Sequence, residues 1–572
     1  MSLYKYFGNL SFIDYFHLVV LFFLFYVIRF YYKYFTRPNK LPGPFPFPII
    51  GCAYCFRGDI KQLFVSLTKK YGDIYEIQLG GRRIVLSHPA YVEKFFTNST
   101  KHAKFMPRVP YSEGLKEFKK TIVGITTNDD FKSWKFNRQF FTRAILSPSF
   151  NNEAIKWTKL LFDELEEYWM SLGSANSDCK EWSLEIDFSK WFHRFTNDMI
   201  IVSLTGERSY SMGSYYNTLS HIKASHPDTL IEDSDRFVKG ISQMVSGSAL
   251  FAFLGPFTRH YVPFIRSKTI EVLKHRDFIF EKLDKMISKR RQEIEMMQTK
   301  DLKNDMLTSL IIANTERDVN YKKTIEKEPS PPITDIEIRA NILDAFAAGT
   351  DTTANLFCFI TYYLCHYPEV KQKMLAEIDS IFIPNNSFQL THSDLSKLKY
   401  CEAIIKEVDR IIPVLSLFAR YPLEPIEVGG YQWPAGTQFQ FDIVSLQRHK
   451  DYWSNPEIFD PDRFFLDNKS ESYLNVKNDD LKDDNNDKED QKVGQKYSFI
   501  MFGGGMRICP GRRLAMIELL SLMVYVFGKY NVELIDMKAP LKTKSSNATI
   551  CQELMVRIRP RNLNYNEYMS YY

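Results

Sequence analysis

Between Leu10 and Tyr32 the chain is apolar and aromatic apart from Ser11, Asp14, His17 and Arg29. As a helix rising ~1.5 Å per residue this stretch is about 34 Å long, enough to cross a hydrocarbon layer of ~30 Å. Its uninterrupted core, Leu18 to Ile28, is shorter, so Asp14 and His17 must lie near one interface. Arg29, Lys33, Arg37 and Lys40 follow the apolar run, against Lys5 before it, and this asymmetry places the bulk of the chain in the cytosol. A cleaved signal peptide is the competing reading, but bulky Phe30, Tyr31 and Tyr32 stand where a cleavage site needs small residues. Next, Leu41-Pro42-Gly43-Pro44-Phe45-Pro46-Phe47-Pro48 cannot continue a helix and reads as a stiff, extended hinge.

Beyond the hinge, long helical patterns are interrupted by short strand-like pieces such as Ile74 to Leu79 and Arg83 to Leu86. No internal repeat is visible. Lys322 to Pro332 reads as a loop before a major helix, opened by the capping-box pattern Thr334-Asp335-Ile336-Glu337. A second buried helix runs through Arg513 to Met523, its start falling near Pro510, a residue suited to the first helical position. Asn468 to Lys496 is so rich in Asp, Asn and Lys that it cannot bury enough apolar surface to order itself, and is expected to be a solvated, disordered acidic insertion.

Composition narrows the class further. Hydrophobic residues make up 45% of the 572 residues, which supplies a large core, while a net charge of +6 on 74 basic and 68 acidic residues gives no argument for nucleic acid. Eight cysteines in such a length are too sparse for a disulfide scaffold, and the lone Cys52-x-x-Cys55 pair has no second pair to make a metal site, so it is read as structural.

The chemistry is concentrated in Phe502-Gly503-Gly504-Gly505-Met506-Arg507-Ile508-Cys509-Pro510-Gly511. Glycines let the backbone fold tightly around one cysteine and aim amide groups at its sulfur, as a metal-ligating thiolate requires. The positive end of the helix that follows would face the same sulfur. The run resembles the haem-binding signature of the cytochrome P450 family, Phe-x-x-Gly-x-Arg-x-Cys-x-Gly, at every specified position. The resemblance implies haem b (iron protoporphyrin IX) with Cys509 as axial metal ligand, Arg507 on a propionate, Phe502 beside the thiolate, and Gly505 and Gly511 shaping the loop.

Ala347-Ala348-Gly349-Thr350-Asp351-Thr352-Thr353 lies about 25 Å along the helix that Thr334 opens. A mid-helix glycine costs about 1 kcal/mol relative to alanine, and the threonine side chains compete for backbone bonds, so a weak spot with room for a ligand or water is expected. The run resembles the same family's oxygen-activation motif. By that resemblance Thr352 holds a water at the reacting oxygen and Asp351 relays protons from solvent.

Further elements agree in type and order. Glu407-Val408-Asp409-Arg410 puts two opposite charges at i and i+3, and with Arg463 of Pro461-Asp462-Arg463-Phe464 it resembles the family's structural triad. Trp134-Lys135-Phe136-Asn137-Arg138 resembles the propionate-binding Trp-x-x-x-Arg, and Arg420 occupies the place of another propionate contact. Pocket candidates by resemblance are Phe105 to Ile125, Ala345 to Thr353 and Val414 to Phe418.

The expectation is thus a mainly helical fold with small β-sheets, the cytochrome P450 fold, with haem between a long central helix and the cysteine loop. Residues 1–37 form a transmembrane anchor, 38–51 the hinge and 52–572 one catalytic domain. The implied activity is a monooxygenase inserting one atom of O2 into a lipophilic small molecule, on the endoplasmic reticulum membrane, single-pass, with its body in the cytosol. Neither a fused flavin domain nor a dinucleotide fingerprint is apparent, so electrons are expected from a separate NADPH-cytochrome P450 reductase-type flavoprotein, meeting basic residues such as Arg512, Arg513 and Lys135. Two rivals remain on the same resemblance: a haem-thiolate isomerase or dehydratase acting on peroxides, which often lacks the acid-alcohol pair that Asp351 and Thr352 supply here, and a noncatalytic membrane haem protein, which needs no proton relay.

Overall fold

The computed structural model describes residues 11–561 apart from 57, 97–105, 109–112, 121–122, 176–181, 227–233, 319–330, 383–388, 466–495 and 546–547. The acidic insertion expected at 468–496 therefore lies outside the described residues but for its last position, as does most of the 322–332 loop.

Helix α1 (Phe12–Thr36) starts at Ser11, whose hydroxyl accepts from the Asp14 amide while the Asp14 carboxylate accepts from the Ser11 amide. None of its residues is buried against the rest of the protein, and it is long and apolar enough to cross a membrane. The proline-rich segment behind it is not a free hinge. Glu76, 4% exposed, forms ion pairs with both Arg37 and Arg82. Arg82 also donates to the carbonyls of Pro38 and Asn39 at 2.8 and 2.7 Å, and the Glu76 amide donates to Pro42 O at 2.9 Å. Phe45 stacks on Tyr31 of α1 at 5.6 Å. The segment is thereby sewn to a sheet. Cys52 is buried beneath it, its Sγ donating to Pro44 O at 3.4 Å, and burial pushes its thiol up to about 11, as suits a structural cysteine.

That sheet has the order β1-β2-β5-β4, where β1 is Ile74–Gln78, β2 Arg82–Leu86, β4 Leu417–Arg420 and β5 Gln438–Asp442. β1 and β2 form the antiparallel hairpin that the two strand-like runs predicted, β2 lies parallel to β5, and β4 is antiparallel to β5. A second sheet joins Ser174–Ala175, β3 (Trp182–Asp187), β7 (Met555–Pro560) and β6 (Tyr530–Leu534), all antiparallel.

The helical body carries the site. α2 (Phe131–Ile145) starts on Asp130, whose carboxylate accepts from the Ser133 amide at 2.7 Å. α3 (Pro148–Leu172) has Pro148 in its first turn. α4 (Phe188–Thr205) is capped by Asp187 and ends at Gly206 in the left-handed region, φ 64°. α5 (Asp335–His366) opens with the predicted capping box: the Glu337 amide donates to Thr334 Oγ1 and the Thr334 amide to Glu337 Oε2. α6 (Lys399–Ile411) is buried on all sides except for Lys399. α7 (Arg512–Lys529) begins two residues after Pro510, with Gly511 rather than the proline at its boundary.

α4 and α5 lie against each other, and Gly349 sets how closely. A Cβ there would lie 2.6 Å from Ile200 Cδ1 and 2.9 Å from its Cγ1. The glycine therefore makes room for a neighbouring helix, not for the ligand or water that its helix-breaking tendency suggested. α5 runs unbroken through it.

Candidate functional site

Gly503 and Gly505 take φ of +72° and +65°, a left-handed backbone that side-chain-bearing residues resist. This curls the loop so that the Cys509 amide donates to Phe502 O at 2.9 Å and the Ile508 amide to Gly505 O at 3.0 Å. Gly504 is required for packing: a Cβ would stand 2.9 Å from Phe96 Cβ. Gly511 is at φ −83°, and its Cβ would make ordinary contact with Cys509 Sγ at 3.9 Å, so neither strain nor crowding demands glycine there. Cys509 is a free, partly exposed thiol at the end of this loop.

Two arginines brace the loop. Arg138 on α2 donates to Ile508 O at 2.7 Å, and Arg512 donates to Cys509 O at 3.3 Å. Arg512 is 3% exposed, so it holds the cysteine loop and is not available at the surface for a partner protein, contrary to the expectation for it; Lys135 is exposed.

Beside the loop, four guanidinium groups crowd together. Burial, then Arg108, Arg420 and Arg138, holds Arg507 well below the usual arginine range. Burial and then Arg108 push Arg420 down to about 9. Arg108 is itself lowered by burial and feels the Cys509 sulfur. Like charges gathered in a desolvated place are costly unless an anion joins them. Arg507 lies over the Trp134 ring at 5.1 Å and Arg420 over Phe96 at 5.3 Å, so aromatic faces shield the cluster. Trp134, Arg138, Arg420 and Arg507, predicted from separate motifs, are thus brought together around Cys509. Arg108 was missed: it sits in a loop noted only as apolar, and its partners are far away in sequence.

Asp344 was missed as well. It accepts from the amides of Ile125 and Thr126, each at 2.9 Å, and from Lys119 Nζ at 3.1 Å. Thr126 O then accepts from Arg507 at 3.3 Å, so one carboxylate on α5 ties the loop before α2 to the cluster.

Along α5, Thr352 Oγ1 donates to Ala348 O at 2.7 Å, Thr196 of α4 donates to Thr350 O at 2.8 Å, and Asn355 donates to Asp351 O at 2.6 Å. Ala348 is exposed and Asp351 and Thr352 are partly exposed, in the middle of a helix otherwise largely buried. Of the pocket candidates, residues 105, 109–112 and 121–122 are outside the described residues.

The buried triad is also present. Glu407 and Arg410, both fully buried, share two bonds of 2.7 and 2.8 Å, and Arg463 Nε reaches Glu407 Oε1 at 3.1 Å. Arg410 also donates from Nη1 to Pro456 O and, through the Nη2 it shares with Glu407, to Ile458 O, which pins the segment leading toward the cysteine loop. Asp462 points away, accepting from Lys373 at 2.7 Å.

A helical body that presents a glycine-cradled cysteine beside a nest of buried guanidiniums, with an acid and an alcohol on its central helix, has the architecture of a haem-thiolate protein. The Cytochrome P450 family model matches residues 41–561. The chain belongs to the cytochrome P450 family and is a monooxygenase of that class. It is 24% identical to a steroid 17-alpha-hydroxylase/17,20 lyase of Oryzias latipes over 87% of this chain and 86% of the relative, and 24% identical to cytochrome P450 3A17 of Cavia porcellus with the same shares. It is 25% identical to an (S)-1-hydroxy-N-methylcanadine 13-hydroxylase of Papaver somniferum over 91% and 89%. The crystal structure of the cytochrome P450DA haem domain superposes with a TM-score of 0.68 at 19% identity, covering 92% of this chain and 98% of that one.

The family implies a haem-thiolate cofactor, and the residues here fit one: an accessible thiol, and a cationic nest suited to a dianion such as the two propionates of haem b.

Proposed function

We propose that this protein is a membrane-anchored monooxygenase that inserts one atom of O2 into a lipophilic small molecule, using electrons from a separate NADPH-dependent flavoprotein reductase. The observation that carries the reading is the conjunction of the Cys509 loop with the guanidinium cluster of Arg108, Arg138, Arg420 and Arg507. Haem b bound there would supply dioxygen activation; Cys509 would hold its iron, and Trp134 and the arginines would hold its propionates. Phe502 packs at the loop's start and Gly505 lets the loop curl, while Gly511, named with them by the resemblance, meets neither strain nor crowding.

The chain's own residues supply protons and position. Thr352 presents a hydroxyl whose hydrogen is held by Ala348 O, leaving its lone pairs to receive a donor such as water. Asp351 stands one residue away with partial access to solvent, as a proton relay requires. The acid and alcohol together favour oxygen reduction over a peroxide isomerase or a noncatalytic role. The exposed apolar face of α1, with basic residues after it, supports a single-pass anchor in the endoplasmic reticulum with the body in the cytosol.

Titrating fatty acids, sterols and terpenoids into purified protein while recording its absorption tests the reading. A low-spin to high-spin shift with one class, absent from Cys509→Ala, is expected; a folded wild type with no thiolate-haem spectrum overturns it. With reductase, Thr352→Ala should divert NADPH electrons to peroxide.

A further inference from the structure

His193 lies on α4, facing Asp351 of α5 across the helix contact, its Nε2 3.8 Å from Asp351 Oδ1. Its other nitrogen, Nδ1, is 2.9 Å from Ser189 O. A carbonyl only accepts, so Nδ1 carries a hydrogen in either protonation state, and Nε2 is the atom that gains and loses a proton. That atom points at the carboxylate. The imidazole is 19% exposed and the Asp351 carboxylate 30% exposed, so the pair is reached by solvent yet walled by two helices.

We propose that His193 is the proton port of this enzyme: it collects protons from solvent at Nε2 and hands them to Asp351, which passes them along α5 to Thr352. The proposal rests on the monooxygenase reading. In each transfer the Nε2–H bond of an imidazolium breaks as an O–H bond forms on Asp351, and the neutral imidazole is reprotonated at Nε2 by a hydronium ion or buffer acid of the solvent, leaving water or the conjugate base. No electrons move.

The charges around His193 suit a transient carrier. Burial favours the neutral ring, Asp351 favours the charged one, Arg194 opposes it and Asp187 supports it, and the sum lies below the ordinary histidine range. A ring that holds its proton less tightly than usual, facing a carboxylate, passes it on with a smaller uphill step than an ordinary imidazolium would face. At 3.8 Å the pair is longer than a hydrogen bond, so a small side-chain rotation or one water must close the gap, which makes the link a gate and not a fixed salt bridge.

The full chain, labelled with 13C at its histidines, can be titrated by NMR as wild type and as Asp351→Asn, with His193→Gln identifying the resonance. The His193 pKa is expected to fall by about one unit when Asp351 loses its charge; an unmoved titration overturns the pairing. In turnover with reductase, His193→Gln should raise the peroxide fraction about tenfold, short of the roughly hundredfold effect of losing a direct general acid. It should also enlarge the solvent isotope effect, and Asp351→Asn/His193→Gln should be no worse than Asp351→Asn. Unchanged coupling and isotope effect in His193→Gln overturn the port, whatever its melting temperature does. No NADPH turnover in the wild type overturns the reading beneath it, and the NMR titration alone then decides the pairing.

Discussion

Glu518 on α7 is 4% exposed, and its Oε1 has no hydrogen-bond partner among the described residues. Burial pushes its carboxyl up to about 8 from an ordinary 4.5. The folded state therefore keeps a proton that the unfolded chain releases above about pH 4.5. Between there and pH 8 the residue lowers stability by up to about 1.4 kcal/mol per pH unit as pH rises. Glu518→Gln removes that slope. Melting curves should show the variant gaining on wild type steadily from pH 5 to pH 8; a constant difference would mean the carboxyl is ionised in the fold. The effect cannot be read from the sequence, where Glu518 is one charge in an apolar helix. By contrast Cys509, Arg507, Trp134 and Arg138 each sit in a short run whose spacing singled them out, while Arg420 was placed by position alone; the fold sets their side chains near one another. Arg108, Asp344 and His193 have no such run. Their meaning lies in partners distant along the chain, as with Asp344, whose partners Ile125 and Lys119 are 219 and 225 residues away.

At the scale of the element, α4 and α5 are held by Ile200 against Gly349 and by Thr196 against Thr350 O. Gly349→Ala should gain up to about 1 kcal/mol of helix propensity, but overpacking costs typically 1–3 kcal/mol, so a net loss of about 1 kcal/mol is expected in denaturant melts. Adding Ile200→Ala removes both clashing atoms, and the double variant should show a favourable coupling of at least about 0.5 kcal/mol. Strict additivity would mean that the helices do not meet at this pair. Here sequence reasoning located the odd residue and misjudged its purpose. A glycine in a helix announces a missing side chain, but what fills the space belongs to another part of the chain. The start of α5 was legible for the opposite reason, since Thr334 and Glu337 satisfy each other locally.

For the whole molecule, the Glu407–Arg410–Arg463 cluster ties α6 to the segment that leads into the cysteine loop. Glu407→Ala leaves two guanidiniums facing a buried hole, and removal of one partner from a buried pair costs roughly 3–5 kcal/mol. Haem retention on gel filtration and the melting temperature should both fall. A variant that keeps both would show that the cluster is dispensable. The helix-rich class was plain from the chain's apolar pattern. The sheets were only glimpsed, because β4, β5 and β7 are short, and β5 and β7 find partners across hundreds of residues.

The clasp of Glu76 between Arg37 and Arg82 bears on how the enzyme turns. A flexible leash would let the body tumble freely about its mooring. Here the last turn of α1, the prolines and the first sheet are riveted by ion pairs and backbone bonds, and Tyr26 of α1 accepts from the Ile49 amide at 3.2 Å. These contacts tie the body to α1, so its orientation follows that of α1. Glu76→Gln, which loosens both arginines, should speed the decay of fluorescence anisotropy of a label on the body in lipid nanodiscs without changing its fold. Whatever opening the substrate uses would then sweep past the lipid at random, where the intact rivets hold it at one heading.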